Sequence, residues 1–233
     1  MVSQNSLPIT KGRKFKQVLE GARRVFLREG YAGASVDDIA GEAKVSKATL
    51  YSYFPDKELM FTEVFRADLA LDIEESLVAV VADRPAAEAL PFLVHALAVR
   101  MVSGSGVNSY RLRVGESARF PDLARECMDR ACRRRRDDVR SYLERWTRRG
   151  ELEINDMELA AEQLIALATA LIRDRALFLG SDSVTDAHMR RATVGAAHVF
   201  LAAYGPRFGA AARVHGDPAI SRADRAKTVP PME

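Results

Sequence analysis

What this chain lacks narrows its class before any motif is read. It has two cysteines, Cys127 and Cys132, so no disulfide framework carries the fold. Lying five apart on an expected helix, their side chains diverge, which predicts buried or incidental free thiols; a redox-sensing role is the sharper alternative. No run of about eighteen apolar residues occurs, and the opening MVSQNSLPITKGRKF has no apolar centre of the kind a secretion signal needs. These absences predict a cytoplasmic protein with no membrane partner. The four histidines, at 95, 188, 198 and 215, have no ligand spacing with the cysteines or carboxylates. No glycine-rich phosphate loop, nucleophile elbow or HExxH motif is present. The expectation is therefore no enzyme, no metal and no cofactor; His95 on an apolar helix suits either a pocket wall or a satisfied core position.

Excess charge is scarce too, with a net of only +3, so any case for nucleic-acid binding rests on where the cations sit. Between Lys11 and Arg28 they are Lys11, Arg13, Lys14, Lys16, Arg23, Arg24 and Arg28, against Glu20 alone. The basic excess is concentrated ahead of the stretch around which the chain is organised, Ser35 to Lys57, SVDDIAGEAKVSKATLYSYFPDK. Ser35 is a good N-cap and forms a capping box with Asp38. Val36, Ile39, Ala40 and Ala43 then share one face of a short helix. Ser46 caps a second helix that carries Leu50, Tyr53 and Phe54 inward, and Pro55 ends it. Its outward positions, Lys47, Ala48, Thr49, Tyr51 and Ser52, are small, hydroxylated or cationic, which suits a groove with acidic walls. Entry to a major groove needs such a slim face together with donors for phosphate oxygens; Lys57, at the next helix start, adds a phosphate site. A compact helical hairpin with a solvated polar face fits the periodicity equally well.

The run from Gly30 to Phe61 resembles the N-terminal DNA-binding domain of the TetR/AcrR family of transcriptional regulators. The residues that carry the likeness are Gly30-Tyr31, Ser35-Val36, Ile39-Ala40, Val45-Ser46, Thr49-Leu50-Tyr51, Tyr53-Phe54 and Lys57-Glu58. The resemblance implies an all-α protein: a three-helix helix-turn-helix head at 13–62 followed by a helical-bundle body at 63–205 for ligand binding and dimerisation. It implies a homodimeric repressor on a pseudo-palindromic double-stranded DNA operator, released by a small-molecule effector. The implied DNA-binding set is Ser35, Val36, Ser46, Lys47, Ala48, Thr49, Tyr51, Tyr53 and Lys57, with Lys47 and Ala48 facing bases and Thr49, Tyr51 and Lys57 holding the backbone. One position departs from the family pattern. Before Val45 the family commonly has glycine, and here Lys44 stands; a left-handed lysine would cost about 1–2 kcal/mol, and a slightly different turn is the alternative. The competing function is a helical interaction module that binds DNA without sequence choice.

In chain order, residues 1–12 read as a flexible arm, and the apolar set from Phe15 to Phe26 predicts a helix from Arg13 to a cap at Gly30. Its basic start could approach phosphates or simply be solvated. After Pro55 a helix is expected to run from Asp56 or Lys57 toward Val81, roughly 37 Å. Asp83, with Pro85 in the first turn, opens another through Met101. SGSGVNS, Ser103 to Ser109, reads as a loop, followed by a helical piece to Arg119 and a corner at Phe120-Pro121. A helix from Asp122 to Arg149 carries nine arginines after residue 129: Arg130, Arg133, Arg134, Arg135, Arg136, Arg140, Arg145, Arg148 and Arg149. They suit a solvated face with pairs such as Glu144 with Arg148; a second nucleic-acid surface is the alternative.

Gly150 ends that helix, and Asn155 or Asp156 caps the next, which is apolar nearly all round. A last helix follows SDSVTD. Together the two helices predict a four-helix interface between subunits formed by Leu164, Leu167, Leu171, Met189, Ala192, Ala196, Val199 and Phe200, unless they simply fill an internal core. Arg148 to Tyr204 also resembles the C-terminal region of the AefR-like subgroup of the family. The effector pocket that the family implies would draw on Phe92, His95, Val99, Tyr110, Met128, Trp146, Arg175 and Phe178, with Arg173 and Arg175 available to an anion. The tail 206–233, without periodicity, is expected to be disordered.

Overall fold

The computed structural model describes residues 12–74 and 84–206, with the side chains of 71–74 excepted. The arm before Gly12, the tail beyond Pro206, the expected run of the long helix to Val81 and Asp83 all lie outside the described residues. Within them the chain is all-helical.

The first helix, α1 (Arg13–Gly33), buries Phe15, Val18, Ala22, Val25 and Phe26 and breaks at Gly30, whose φ of 69° is open to glycine. α2 (Val36–Glu42) and α3 (Lys47–Tyr53) pack across it. A Cβ on Gly21 would stand 2.6 Å from the Ala43 Cβ, so only a hydrogen fits where α1 crosses the end of α2. Gln17 fixes the same crossing by donating its amide to the Ala43 carbonyl at 2.8 Å. Ser35 accepts from the Asp38 N–H at 3.0 Å, but the Asp38 carboxylate accepts from the Ser35 hydroxyl rather than from its backbone N–H. The expected box is therefore half formed. Ser46 caps α3 by accepting from Thr49 N–H at 3.1 Å, and Asp56 caps α4 (Lys57–Glu74) by accepting from Leu59 N–H at 2.7 Å.

The body comprises α5 (Ala86–Val102), α6 (Gly104–Gly115), α7 (Pro121–Cys127), α8 (Arg133–Arg148), α9 (Met157–Leu179) and α10 (Asp186–Tyr204). Pro85 is the residue before α5 rather than part of its first turn, and the Ala86 N–H donates to the Glu151 carboxylate at 2.5 Å. The expected Ser103–Ser109 loop is the first part of α6. α5 and α6 meet at 65°, Ser103 accepts from Gly106 N–H at 3.0 Å, and a Cβ on Gly106 would stand 2.1 Å from the Arg100 carbonyl oxygen. The serine and glycine that suggested a loop serve a sharp helix-to-helix corner.

Between α7 and α8 the residues Met128–Cys132 form one π-helical turn. Its wider repeat returns residue i+5 to the face of residue i. Cys127 and Cys132, expected to diverge, are instead in hydrogen-bond contact, and both are free thiols. Gly150 ends α8 with φ of 72°, Asp156 caps α9 by accepting from Leu159 N–H, and Thr185 with His188 forms a full capping box on α10.

Two cores result. The first joins α1 to α4 through Phe15, Phe26, Ile39, Leu50, Phe54, Met60, Phe61 and Leu69, and takes in Leu112, Leu123 and Ala131 from α6, α7 and the π turn. The second joins α5, α8, α9 and α10 through Leu90, Leu93, Val94, Leu97, Val139, Tyr142, Leu143, Trp146, Leu164, Ala168, Ala196 and Phe200. The arginines of α8 lie on a solvated face with pairs to Asp and Glu. Among them are Arg134 to Asp138, Arg136 to Glu158 and Glu162, and Arg140 to Glu144. The expected Glu144 to Arg148 ion pair differs: Arg148 donates to the Glu144 carbonyl at 3.3 Å.

Candidate nucleic-acid interface and ligand cavity

α3 is held from behind and bare in front. Leu50 and Phe54 are fully buried, the Phe54 ring packs on Phe15 at 5.4 Å, and the Tyr53 ring meets Phe15 edge-on at 5.9 Å. Lys47, Ala48, Tyr51 and Ser52 are exposed and Thr49 is half-buried. A seven-residue helix is marginal alone, so this packing and the Ser46 cap are what present its outer face as a rigid surface.

The placement of the expected DNA set divides. Lys47, Ala48, Thr49, Tyr51 and Ser46 share the α3 surface. Val36 and Tyr53 pack against the first core. Ser35 is spent on capping α2. Lys57 differs most from expectation: its ammonium donates to the carbonyls of Tyr31 at 2.9 Å and Ala34 at 3.0 Å and lies 4.5 Å over the Tyr31 ring. It locks the start of α4 to the end of α1 instead of pointing outward. Lys47 is paired as well, 2.6 Å from the Asp37 carboxylate, and its pKa is raised by that hydrogen bond and charge.

Lys44 has φ of 52°. The Val45 N–H donates to the Ala40 carbonyl at 3.0 Å and the Lys44 N–H to Gly41 at 3.1 Å, the pair of bonds that closes a helix on a left-handed residue, usually glycine. The strained alternative at this position is the one realised.

In the body, a cavity of about 340 Å³, within the usual range for small-molecule sites, opens between α5, α6, α8 and α9 and reaches α1 and α4. Its lining is Arg23, Asp68, Leu97, Val99, Arg100, Met101, Ser103, Ser105, Gly106, Ser109, Tyr110, Arg113, Arg135, Ile165 and Thr169. Of the effector candidates only Val99 and Tyr110 belong to it. Trp146 is sealed in the second core, its Nε1 donating to the Arg84 carbonyl at 3.1 Å. His95 is exposed, as are Phe92, Met128 and Phe178. Arg175 donates to the Ser183 carbonyl at 2.7 Å and Arg173 pairs with Asp174. Apolar type and helical position do not separate a cavity wall from a core or a surface stripe. The signal that was missed is charge inside the fold. Asp68, 7% exposed, accepts from Arg23 Nε at 3.0 Å and Nη2 at 2.8 Å and from Arg113 Nη2 at 2.8 Å.

The expected dimer set also divides. Leu164, Ala196 and Phe200 are consumed by the second core, and Met189 and Ala192 by a small one with Ala98 and Ile172. Leu167 is half-buried, whereas Leu171 is 67% and Val199 51% exposed, alongside Phe178 and Val194. The helices are right and the faces half wrong: periodicity marks which residues are buried, not whether the burying surface belongs to the same chain.

Residues 18–64 match the family described as bacterial regulatory proteins of the tetR family, and residues 88–206 match the C-terminal domain of AefR-like transcriptional repressors. This chain belongs to the TetR family. Its helix-turn-helix is the family's DNA-binding unit, and the protein is a TetR-family transcriptional regulator. Among curated TetR-type relatives, the HTH-type transcriptional regulator YdeS of Bacillus subtilis is 30% identical over 194 residues, 82% of this chain and 90% of YdeS. A solved TetR-family regulator from Mesorhizobium loti superposes with a TM-score of 0.76 at 27% identity, covering 84% of this chain and 99% of its own. The flavonoid-responsive regulator FrrA superposes with a TM-score of 0.64 at 30% identity, with coverages of 84% and 99%.

Proposed function

We propose that this TetR-family regulator is a homodimeric, cytoplasmic repressor that leaves a pseudo-palindromic operator when a small molecule binds in the body. The observation that carries the reading is the rigid α3 surface, where Lys47 and Ala48 are placed to meet base edges while Thr49 and Tyr51 donate to phosphates. Lys57 contributes by positioning the start of α4, not by its ammonium. The 13–62 head ends within α4 and the 63–205 body begins there, so body movements reach the head without a linker.

One head covers little of a DNA site, and a two-fold dimer spans half-sites about 34–36 Å apart. The exposed apolar stripe of Leu171, Phe178, Val194 and Val199 supports pairing through α9 and α10. The AefR-like match supports repression, and FrrA's responsiveness to flavonoids supports a small-molecule effector. Release is then a population shift: the ligand prefers a body conformation in which the two heads are misplaced, and only its differential affinity counts.

The test is selection of random duplex DNA by the purified protein at physiological salt, with sequencing of what is retained. A two-fold symmetric consensus is expected. Recovery of unselected sequence would overturn sequence-specific regulation in favour of a non-specific DNA-binding module.

A further inference from the structure

The cavity carries more positive charge than the fold neutralises. Asp68 is shared between Arg23 of α1 and Arg113 of α6, so one carboxylate serves two guanidiniums. Arg135 of α8 lines the same space and makes no ion pair among the described residues. Arg113 and Arg135 both stand close enough to Cys127 to act on its thiol electrostatically, which puts the two cations at one end of the cavity. The opposite wall includes Leu97 and Ile165. Cations withdrawn from water without compensation are unfavourable, and guanidiniums take carboxylates and phosphates through paired, directional hydrogen bonds.

Resting on the effector reading above, we propose that the cavity takes an amphipathic anion whose head group pairs with Arg113 and Arg135 in competition with Asp68, while its apolar body lies along Leu97 and Ile165. The anion draws Arg113 from Asp68 and so loosens the tie between α6 and α4. Arg23 keeps Asp68, and α1 stays with α4.

Calorimetric titration of the full chain with decanoate, decyl phosphate and 1-decanol tests the site, because the three share an apolar body and differ in head group. At least one anion should bind roughly tenfold or more tightly than the alcohol, the scale of a charge-assisted hydrogen bond. Binding of decanoate alone or of decyl phosphate alone identifies the head group as carboxylate or phosphate. Arg135→Gln should remove most of that advantage and leave the weak affinity for decanol as it was. Asp68→Asn, which removes the competing charge, should tighten the anion several-fold. Equal affinity for alcohol and anions, no binding of either anion, or an anion affinity unaltered in Arg135→Gln would overturn the site, and weaker anion binding in Asp68→Asn would overturn the competition. Operator affinity measured without ligand separates the two readings: a protein that binds the anion and no operator refutes the regulator, not the anion site.

Discussion

Replacing Lys44 by glycine tests whether the turn between α2 and α3 is held against its own residue. The lysine sits at φ of 52° with both turn-closing hydrogen bonds formed, a conformation that costs an L-residue with a Cβ about 1–2 kcal/mol. Glycine removes that cost, but it frees the unfolded chain by roughly 0.4–1 kcal/mol. The difference is a net stabilisation of about 1 kcal/mol, a rise of roughly 2–4 °C in Tm for a chain of this size. Lys44→Ala is the necessary control, since it deletes the charge and keeps the Cβ and hence the strain. Thermal unfolding followed by far-UV circular dichroism should rank Lys44→Gly above both Lys44→Ala and the parent. The proteins are compared at equal concentration because dimerisation shifts apparent stability. Because the backbone already has the glycine-type conformation, Lys44→Gly and Lys44→Ala should bind DNA alike. A glycine variant no more stable than the alanine variant would refute the strain argument.

Three further outcomes follow from other contacts. Asp37→Asn should release Lys47 from its ion pair and strengthen binding to all duplexes, with a salt dependence steeper by roughly one counterion; titrations at several salt concentrations read this directly, and an unchanged slope would contradict it. Leu171→Glu, on an exposed position, should yield folded monomers by light scattering, whereas Ala196→Glu buries a carboxylate in the second core and should cost the fold itself; a folded dimer in Leu171→Glu would exclude that face. Hydrogen bonding to Cys132, then burial, push the Cys127 thiol up, so iodoacetamide at pH 8 should label it roughly tenfold or more slowly in the folded protein than in the unfolded one. The sign for stability follows. The folded thiol holds its proton more tightly than the unfolded one, so the contribution is intact below the free-cysteine range near about 8.5 and declines as pH rises above it.

The elements that were legible in the sequence are those whose signals are local. Ser35, Ser46, Asp156 and Thr185 announce helix starts because a capping side chain bonds within three residues of itself, and Gly30, Gly150 and Gly180 announce ends because each needs positive φ. The reading face of α3 was legible for the same reason. What was not legible depends on a second segment. Ser103 and Gly106 make a helix corner only because the Arg100 carbonyl stands against Gly106, and nothing in SGSGVNS records that neighbour. Lys57 carries the expected charge, yet its ammonium is claimed by carbonyls at the end of α1. The two cysteines meet because a π turn replaces an α turn. The cavity was misassigned because its decisive residues, Arg23, Asp68, Arg113 and Arg135, come from four helices, and only the folded topology brings them together.

That topology also constrains how a signal leaves the cavity. Asp68 and Phe61 lie seven residues apart on α4, two turns on one face. Each touches both neighbours: Asp68 binds Arg23 of α1 and Arg113 of α6, and the Phe61 ring meets Phe26 of α1 at 5.1 Å and Phe120, in the corner after α6, at 4.7 Å. Lys57 then fastens the start of α4 to the carbonyls of Tyr31 and Ala34. α1 and α4 are therefore joined at three levels and act as one unit carrying α2 and α3, while α6 and its corner grip that unit at two. A ligand that weakens the grip at Asp68 leaves Phe120, which also stacks edge-on with Tyr31 at 4.9 Å, as the fulcrum. The freed motion is then a rotation of the head about the aromatic contact rather than a separation from the body, and rotation is the motion a two-fold pair of reading helices tolerates least, because it changes their spacing while leaving each head folded.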